Sequence, residues 1–157
     1  RIEKNRLLKI PVCYDEEFGW DLKSFCNQNE LLFDELIQLH TEKIYHVYML
    51  GFIPGFAYMG KTPERLFASR KKQPRKQVDA QSVALAGAQT GVYPTDAPGG
   101  WQIIGKTPVP LINKSSKYPF LFEPGDRIKF YPIDKLQYSD IEEAVKSQSF
   151  KLEISNE

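Results

Sequence analysis

The sequence predicts a mainly β, barrel-like domain with a few helices. Short runs with apolar residues occupy positions 82–86, 101–104, 127–131 and 150–154, and glycine and proline recur between them. Many short strands between turn residues are typical of barrels and sandwiches rather than of a doubly wound parallel sheet. The chain has 157 residues, of which 41% are hydrophobic, and this is enough for one domain with its own core.

The first half of the chain supplies most of the predicted helices. Residues 7–14 are expected to form a strand, and Pro11 places that strand at a sheet edge because proline cannot donate to a β-ladder. Asp21 is expected to cap a short helix. In residues 29–40 the apolar side chains recur at the spacing of one helical face, and Asn29 is the predicted cap of this second helix.

The pattern then changes to a strand and ends with one more helix. Residues 45–50 alternate between two faces, which predicts a strand that runs directly into a glycine-rich segment. Near the C-terminus, Ser139 and Glu142 have the spacing of a capping box ahead of Ile141. A late helix is therefore expected to interrupt the strands.

Composition and charge argue against several classes of function. The 21 basic and 20 acidic residues leave a net charge of +1, which does not call for a nucleic-acid partner. No window approaches the roughly 20 apolar residues that a membrane helix needs. Cys13 and Cys26 form neither a disulfide framework nor a zinc-ligand set, so we expect reduced thiols, a cytoplasmic protein and no metal site.

Two glycine-rich segments carry the strongest functional signal. Residues 51–60, GFIPGFAYMG, contain three glycines, one proline and three aromatic residues, and residues 87–105 contain five more glycines. Glycine permits positive φ and close approach while proline fixes φ, so both segments have a demanding shape. Because both mix aromatic rings with polar side chains, we expect them to form two walls of one site.

The familiar self-sufficient catalytic patterns are absent from the sequence. It contains no Gly-rich phosphate loop with Lys and Ser or Thr, no His-x-x-x-His pair and no nucleophile elbow. Packing explains His40 and His46 as readily as general-base catalysis does. The basic run 70–76 suits either a solvated loop or an anion site, in which Arg75 would bind a carboxylate through its planar fork.

A set of neutral polar residues lies in and beside the second glycine-rich segment. Gln89, Thr90, Tyr93 and Gln102 occur close to Trp101. They suit ordinary turn chemistry, but they equally suit a site for an amide or lactam, which needs neutral donors and acceptors near an apolar ring.

Five long motifs occur in the order and spacing of one known family. They are GFIPGFAYMG, PRKQV, SVALAGAQTGVYP, APGGWQIIGKTP and PGDRIKFYPI. Over residues 9–133 the chain thus resembles the family that includes the B subunit of bacterial 5-oxoprolinase, also called allophanate hydrolase subunit 1, and an inhibitor of a sporulation histidine kinase. The resemblance implies a cyclophilin-like β-barrel at 42–157. Residues 1–41 would then join it to a truncated N-terminal α/β domain, and a single unit at 7–157 is the alternative division.

The resemblance also implies a function. It implies a non-autonomous subunit of a cytoplasmic, ATP-dependent 5-oxoprolinase, which opens 5-oxo-L-proline to L-glutamate together with the A and C subunits. ATP would serve the whole complex without binding to this chain. The alternative is an inhibitor that binds a histidine kinase through the aromatic residues of 52–59. Neither interpretation requires a nucleic acid or a membrane.

The site residues implied by the resemblance are the family's recurring polar and aromatic positions. In this sequence they are His40, Phe52, Phe56, Tyr58, Arg75, Gln89, Thr90, Tyr93, Trp101 and Gln102. Among them we expect Gln89, Thr90 and Gln102 to bind the lactam. Arg75 is expected to bind its carboxylate, and no residue is singled out as catalytic.

Overall fold

Seven strands close into a barrel within residues 5–156, the part of the chain that the computed structural model describes. The strands of this part are β1 (Leu7–Cys13), β2 (Ile44–Leu50), β3 (Ala57–Gly60), β4 (Arg75–Val78), β5 (Ser82–Ala86), β6 (Gln89–Val92), β7 (Ala97–Gly99), β8 (Gln102–Lys106), β9 (Arg127–Ile133) and β10 (Glu153–Ser155). Its α-helices are α1 (Leu22–Gln28), α2 (Phe33–Thr41) and α3 (Lys135–Lys146). The predicted mainly β barrel with a few helices is confirmed.

The barrel strands follow the order β1-β8-β5-β6-β3-β2-β9, and β9 pairs back onto β1 to close the ring. The β1–β9 pair is parallel, whereas the other neighbours in the ring are antiparallel. Outside the ring, β10 pairs with one end of β1. Strands β4 and β7 form a separate two-stranded sheet, which we call the ribbon.

The prediction that the first strand lies at a sheet edge is wrong. Strand β1 has partners on both sides, with β9 along its whole length and β10 and β8 on its other side. Pro11 is tolerated because β10 pairs with residues 7–9 and β8 only with Cys13. The missing N–H of Pro11 therefore coincides with a gap between two partner strands.

The caps of the first two helices differ from the prediction. Asp21 occupies the N-cap position of α1, but its carboxylate makes no capping hydrogen bond. Asn29 ends α1 instead of starting α2, and its side-chain amide donates to the Phe25 carbonyl over 2.8 Å. Helix α2 begins after Leu32, whose backbone N–H donates to Glu35 Oε1 over 3.0 Å. The acidic side chain in the first turn, rather than an upstream Asn, fixes this start.

The late helix is present, but it starts before the predicted capping box. Asp134 accepts a hydrogen bond from the Gln137 N–H over 2.8 Å, and the Asp134 N–H donates to Gln137 Oε1 over 2.9 Å. This reciprocal pair caps α3, so Ser139 lies inside the helix. None of the helices in residues 5–156 combines the length and hydropathy of a membrane span.

The predicted boundary between residues 41 and 42 crosses the barrel. Strand β1 lies before it and supplies one of the seven barrel strands within residues 5–156. Arg6, almost fully buried just ahead of β1, donates to both carboxylate oxygens of Asp126 over 2.9 and 2.6 Å. These contacts tie the early segment to the start of β9.

Two apolar clusters occupy opposite faces of the barrel sheet. Successive residues of a strand point to opposite sides, and in β5 Val83 and Leu85 belong to the large interior cluster. Ala84 and Ala86 belong instead to a second, outer cluster. The members of this outer cluster are Phe56, Val78, Ala84, Ala86, Tyr93, Ala97, Trp101 and Ile103. Since Val78 and Ala97 come from the ribbon, the ribbon covers the outer face of the sheet.

Candidate functional site

A cavity of about 310 Å³ lies at the outer cluster, where the two glycine-rich segments meet the basic run 70–76. Its size falls at the lower end of the range for small-molecule sites. It is lined by Phe52, Tyr58, Arg70, Lys71, Pro74, Tyr93, Pro98, Gly99, Gly100 and Trp101. Both glycine-rich segments thus border one cavity, and the basic run supplies its charged side.

The apolar wall of the cavity is built around Phe56. This ring is fully buried, and the ring centroids of Tyr58, Tyr93 and Trp101 lie 5.1, 5.4 and 5.1 Å from it. Phe52 meets it edge-on at 5.8 Å, yet the Phe52 side chain is 61% exposed. These spacings are typical of favourable aromatic pairs. Four predicted site residues therefore line the cavity, and the fifth, Phe56, supports them.

The charged side of the cavity is organised by Asp21, which is almost completely buried. Arg75 Nη1 and Nη2 donate to its two carboxylate oxygens over 2.6 and 2.9 Å, and Lys71 Nζ donates over 3.0 Å. The backbone N–H of Ile103 adds a fourth hydrogen bond over 2.8 Å. The carboxylate that does not cap α1 thus holds two cations of the basic run.

The Asp21 carboxyl is stabilised in its charged form. Burial alone would raise the pKa of Asp21, but the hydrogen bonds from Arg75, from the Ile103 backbone and from Lys71 outweigh it and lower the pKa. One carboxylate thus faces two cations, and Arg70 adds a third positive charge at the cavity. The site is therefore electropositive and suits an anionic ligand.

Arg75, the predicted carboxylate-binding residue, is already engaged. Its fork binds Asp21, its guanidinium lies 5.2 Å from the centre of the Trp20 ring, and it is not among the residues that line the cavity. Arg70 lines the cavity and makes no ion pair or hydrogen bond within residues 5–156. Its guanidinium is therefore better placed than that of Arg75 to meet a ligand carboxylate.

His40 and Thr90 lie in the barrel interior, away from the cavity. The Tyr14 hydroxyl oxygen lies 2.6 Å from His40 Nδ1, and His40 Nε2 lies 2.9 Å from Thr90 Oγ1. The Thr90 hydroxyl itself donates to the Ala84 carbonyl. Because that hydroxyl proton is used, Thr90 accepts from Nε2–H and Tyr14 donates to Nδ1. Burial lowers the pKa of His40 to about 3, so the ring is neutral. These placements argue against contact of either side chain with substrate.

The two glutamines also lie outside the cavity. Gln89 donates to the hydroxyl of Tyr48, and Gln102 donates to the Ser69 carbonyl over 2.9 Å. Gln89 and Thr90 are neighbours on one strand and must point to opposite faces. The expected joint binding of a lactam by Gln89, Thr90 and Gln102 therefore finds no support in their positions.

Sequence reasoning misses two important parts of this site. In the sequence, Arg70 and Lys71 stand out only as members of a charge run, and Asp21 only as a helix cap. A buried acid 50 residues before its Lys partner leaves no local signal. Among residues 5–156, no three His, Cys, Asp or Glu side chains come together as metal ligands would.

Comparison with known proteins shows which family the chain resembles. The family described as carboxyltransferase domain, subdomain C and D, matches residues 1–122. The chain is 48% identical over 133 residues to the 5-oxoprolinase B subunit of Bacillus subtilis, a match that covers 85% of this chain and 55% of that protein. It therefore spans little more than half the length of that relative.

Solved structures agree with the fold. A conserved uncharacterized protein from Pyrococcus horikoshii superposes with a TM-score of 0.80 at 44% identity, covering 84% of this chain and 61% of that one. The urea amidolyase of K. lactis superposes with a TM-score of 0.81 at 16% identity, covering 98% of this chain and 11% of that one. At such low identity the second likeness supports the fold alone.

Proposed function

Because the chain belongs to the family of carboxyltransferase domains, subdomain C and D, and resembles the B subunit of 5-oxoprolinase, we propose that it is part of such a subunit. In this proposal it takes part in the ATP-dependent opening of 5-oxo-L-proline to L-glutamate. It acts in a complex with the A and C subunits of that enzyme.

The cavity with its aromatic wall and cationic side is the observation that carries the proposal. 5-Oxoproline is a small ring with an amide inside the ring and a carboxylate beside it. Its ring suits the rings of Tyr58, Tyr93 and Trp101, and its carboxylate suits the positive charge of Arg70 and Lys71. The cavity thus offers binding and orientation, which supply a large part of catalytic power.

The remaining chemistry is assigned to the partner subunits. The sequence has no phosphate-binding loop, so we propose that ATP binds elsewhere in the complex. A cytoplasmic complex is in keeping with Cys13 and Cys26, which are both free thiols. In this view the chain holds the ring while another subunit activates the amide.

The test uses the full-length protein, alone and mixed with the A and C subunits. Glutamate release from 5-oxoproline is measured with and without ATP. The proposal expects release only in the complete mixture with ATP. Release by the protein alone would contradict the shared role, and no release from the complete mixture would contradict the substrate.

A matched pair of variants links turnover to the cavity. Phe52→Ala removes an exposed ring from the cavity wall, and Leu136→Ala removes a similarly exposed apolar side chain from α3, which does not line the cavity. We expect Phe52→Ala to raise KM about 5-fold, which corresponds to about 1 kcal/mol of lost ring contact. Leu136→Ala should leave KM unchanged. Equal KM values for both variants would show that the activity does not depend on this cavity.

A second candidate function, inhibition of a histidine kinase, is favoured by one observation. Tyr48, Met49 and Phe52 expose about half or more of their side chains, and large exposed apolar side chains suit a protein-binding surface where they form one patch. Kinase autophosphorylation with and without the full-length protein tests it. Equal autophosphorylation rates with and without saturating protein would contradict kinase inhibition, and binding of a partner subunit would then be the role proposed for this surface.

A further inference from the structure

The hydroxyl of Tyr93 is a buried hydrogen-bond donor without an acceptor. Tyr93 is fully buried, and no group within residues 5–156 accepts a hydrogen bond from its Oη–H. Burying a hydroxyl proton without an acceptor is unfavourable, so such a group in a folded protein needs an explanation. Tyr45, which is also fully buried, shows the usual outcome, since its hydroxyl donates to the His40 carbonyl over 3.0 Å.

The hydroxyl lies at the wall of the cavity, against Gly99. A Cβ atom placed on Gly99 would be 2.0 Å from Tyr93 Oη, so only glycine leaves room for this hydroxyl. Tyr93 and Gly99 both line the cavity. Gly99 belongs to the ribbon, whose strands pair through Arg75 with Gly99 and Val78 with Ala97, with an irregular register between them. Because Oη has almost no exposed surface, contact with a ligand requires a shift of Gly99, which lies in the two-stranded ribbon and not in a barrel strand.

The cations near this hydroxyl differ in their freedom. Lys71 and Arg75 are held by Asp21, whereas Arg70 has no ion pair within the described residues. Burial raises the pKa of the Tyr93 phenol, whereas a hydrogen bond from the Trp101 backbone N–H and the charges of Arg70 and Arg75 lower it in part. A neutral hydrogen-bonding group and an uncommitted positive charge therefore lie at the same cavity.

We infer that the Tyr93 hydroxyl binds the ring amide of the ligand while Arg70 binds its carboxylate, so that the cavity selects small cyclic molecules carrying both groups. The inference rests on the proposed function for the choice of 5-oxoproline as its probe. A neutral phenol donates to a lactam carbonyl without a change in protonation, and a guanidinium pairs with a carboxylate in a planar fork. The two contacts lie on different groups, so removing one should change selectivity and not only affinity.

The experiment measures Kd by calorimetry with the full-length protein. The ligands are 5-oxo-L-proline, which has both groups, cyclopentanecarboxylic acid, which lacks the ring amide, and 2-pyrrolidinone, which lacks the carboxylate. Tyr93→Phe should weaken 5-oxoproline binding about 3- to 10-fold and leave the binding of cyclopentanecarboxylate unaffected. Arg70→Gln should weaken both acids about 10- to 100-fold and leave 2-pyrrolidinone unaffected.

Matched controls separate these contacts from general effects. Tyr131→Phe removes a partly exposed hydroxyl on β9, and Lys72→Gln removes a neighbouring charge that does not line the cavity. Neither should change any Kd. The unliganded Tyr93→Phe protein should melt at the same temperature as wild type or a few degrees higher, because it no longer buries a hydroxyl proton without an acceptor.

The outcomes distinguish this inference from the proposed function. Equal 5-oxoproline affinities for wild type and Tyr93→Phe, or a lower melting temperature of that variant, would overturn the role of the hydroxyl even if the complex releases glutamate. Selective binding of ring acids that depends on Tyr93 and Arg70 would uphold it even if no glutamate is released. Failure of the wild type to bind any of the three ligands would overturn the inference.

Discussion

Removing the charge of Asp21 tests the organisation of the whole cationic side. Asp21→Asn keeps the shape of the side chain and an acceptor for the Ile103 N–H, but it removes the counter-ion of Arg75 and Lys71. Asp21 itself is 3% exposed, whereas the side chains of Arg75 and Lys71 are 24% and 29% exposed. The variant therefore leaves two cations without a counter-ion, although water can partly solvate them.

The expected loss follows from these exposures. Breaking a fully buried ion pair costs about 3–5 kcal/mol because it leaves a buried charge without compensation. Partial solvation of both cations reduces this cost, so we expect Asp21→Asn to lower the free energy of unfolding by about 2–3 kcal/mol. Urea denaturation near neutral pH measures this loss of stability. Asp140→Asn, an exposed acid on α3, is the matched control and should change stability by less than about 0.5 kcal/mol.

The pH dependence gives a second check on the same variant. The folded-state pKa of Asp21 is lowered, so its stabilising effect is complete well above its ordinary value of 3.8 and is lost as pH falls through the lowered pKa. The stability difference between wild type and Asp21→Asn should therefore be constant between pH 7 and about pH 5 and shrink below about pH 4. A loss under about 1 kcal/mol at neutral pH, or a difference that persists in acid, would refute the ion-pair account.

Two other variants probe the barrel. Gly105→Ala places a Cβ 2.8 Å from the Cys13 carbonyl oxygen and should lower the free energy of unfolding, measured by urea denaturation, by about 1–3 kcal/mol. Gly51→Ala, whose Cβ would have no atom nearer than 3.4 Å, should lower it less. Equal losses would contradict the close approach of β8 to β1. Burial lowers the pKa of His40 from 6.5 to about 3. Between these pH values the imidazole is protonated in the unfolded chain but not in the folded one, so the free energy of unfolding decreases as the pH decreases. His40→Gln should reduce that slope by up to about 1.4 kcal/mol per pH unit, and an unchanged slope in pH-dependent urea denaturation would show that His40 is not buried neutral.

The strands are predictable because their evidence is local. The 82–86 prediction coincides with β5, and the 127–131 prediction lies within β9. The last strand is less well placed, since 150–154 is expected and β10 covers Glu153–Ser155. Alternating apolar residues between turn residues identify a strand, but they do not identify its neighbours. For that reason Pro11 could not reveal that β1 lies between partners rather than at an edge.

The aromatic half of the site is predictable from the sequence, and the polar half is not. Rings such as those of Phe56 and Trp101 stand out by composition within glycine-rich segments, wherever the fold places them. Whether a polar side chain lines the site depends on the face of the strand that it occupies and on the group that it hydrogen-bonds. Thr90 faces the barrel interior and Gln89 does not, while Asp21 finds Arg75 only across 54 positions of sequence. The residue types therefore suggest a site, but the fold decides which of them share it.

Packing explains why the cavity lies on the outer face rather than inside the barrel. The interior is filled by apolar side chains, and its one histidine among the described residues is neutral and hydrogen-bonded at both ring nitrogens. On the outer face, Gly91 lets the Phe56 ring approach β6, since a Cβ there would lie 2.9 Å from Phe56 Cζ. Gly99 in turn leaves room for the Tyr93 hydroxyl. These glycines are needed because flat rings pack directly on backbone, and the cavity lies beside that packing, where Pro98 and Gly99 of the ribbon line it.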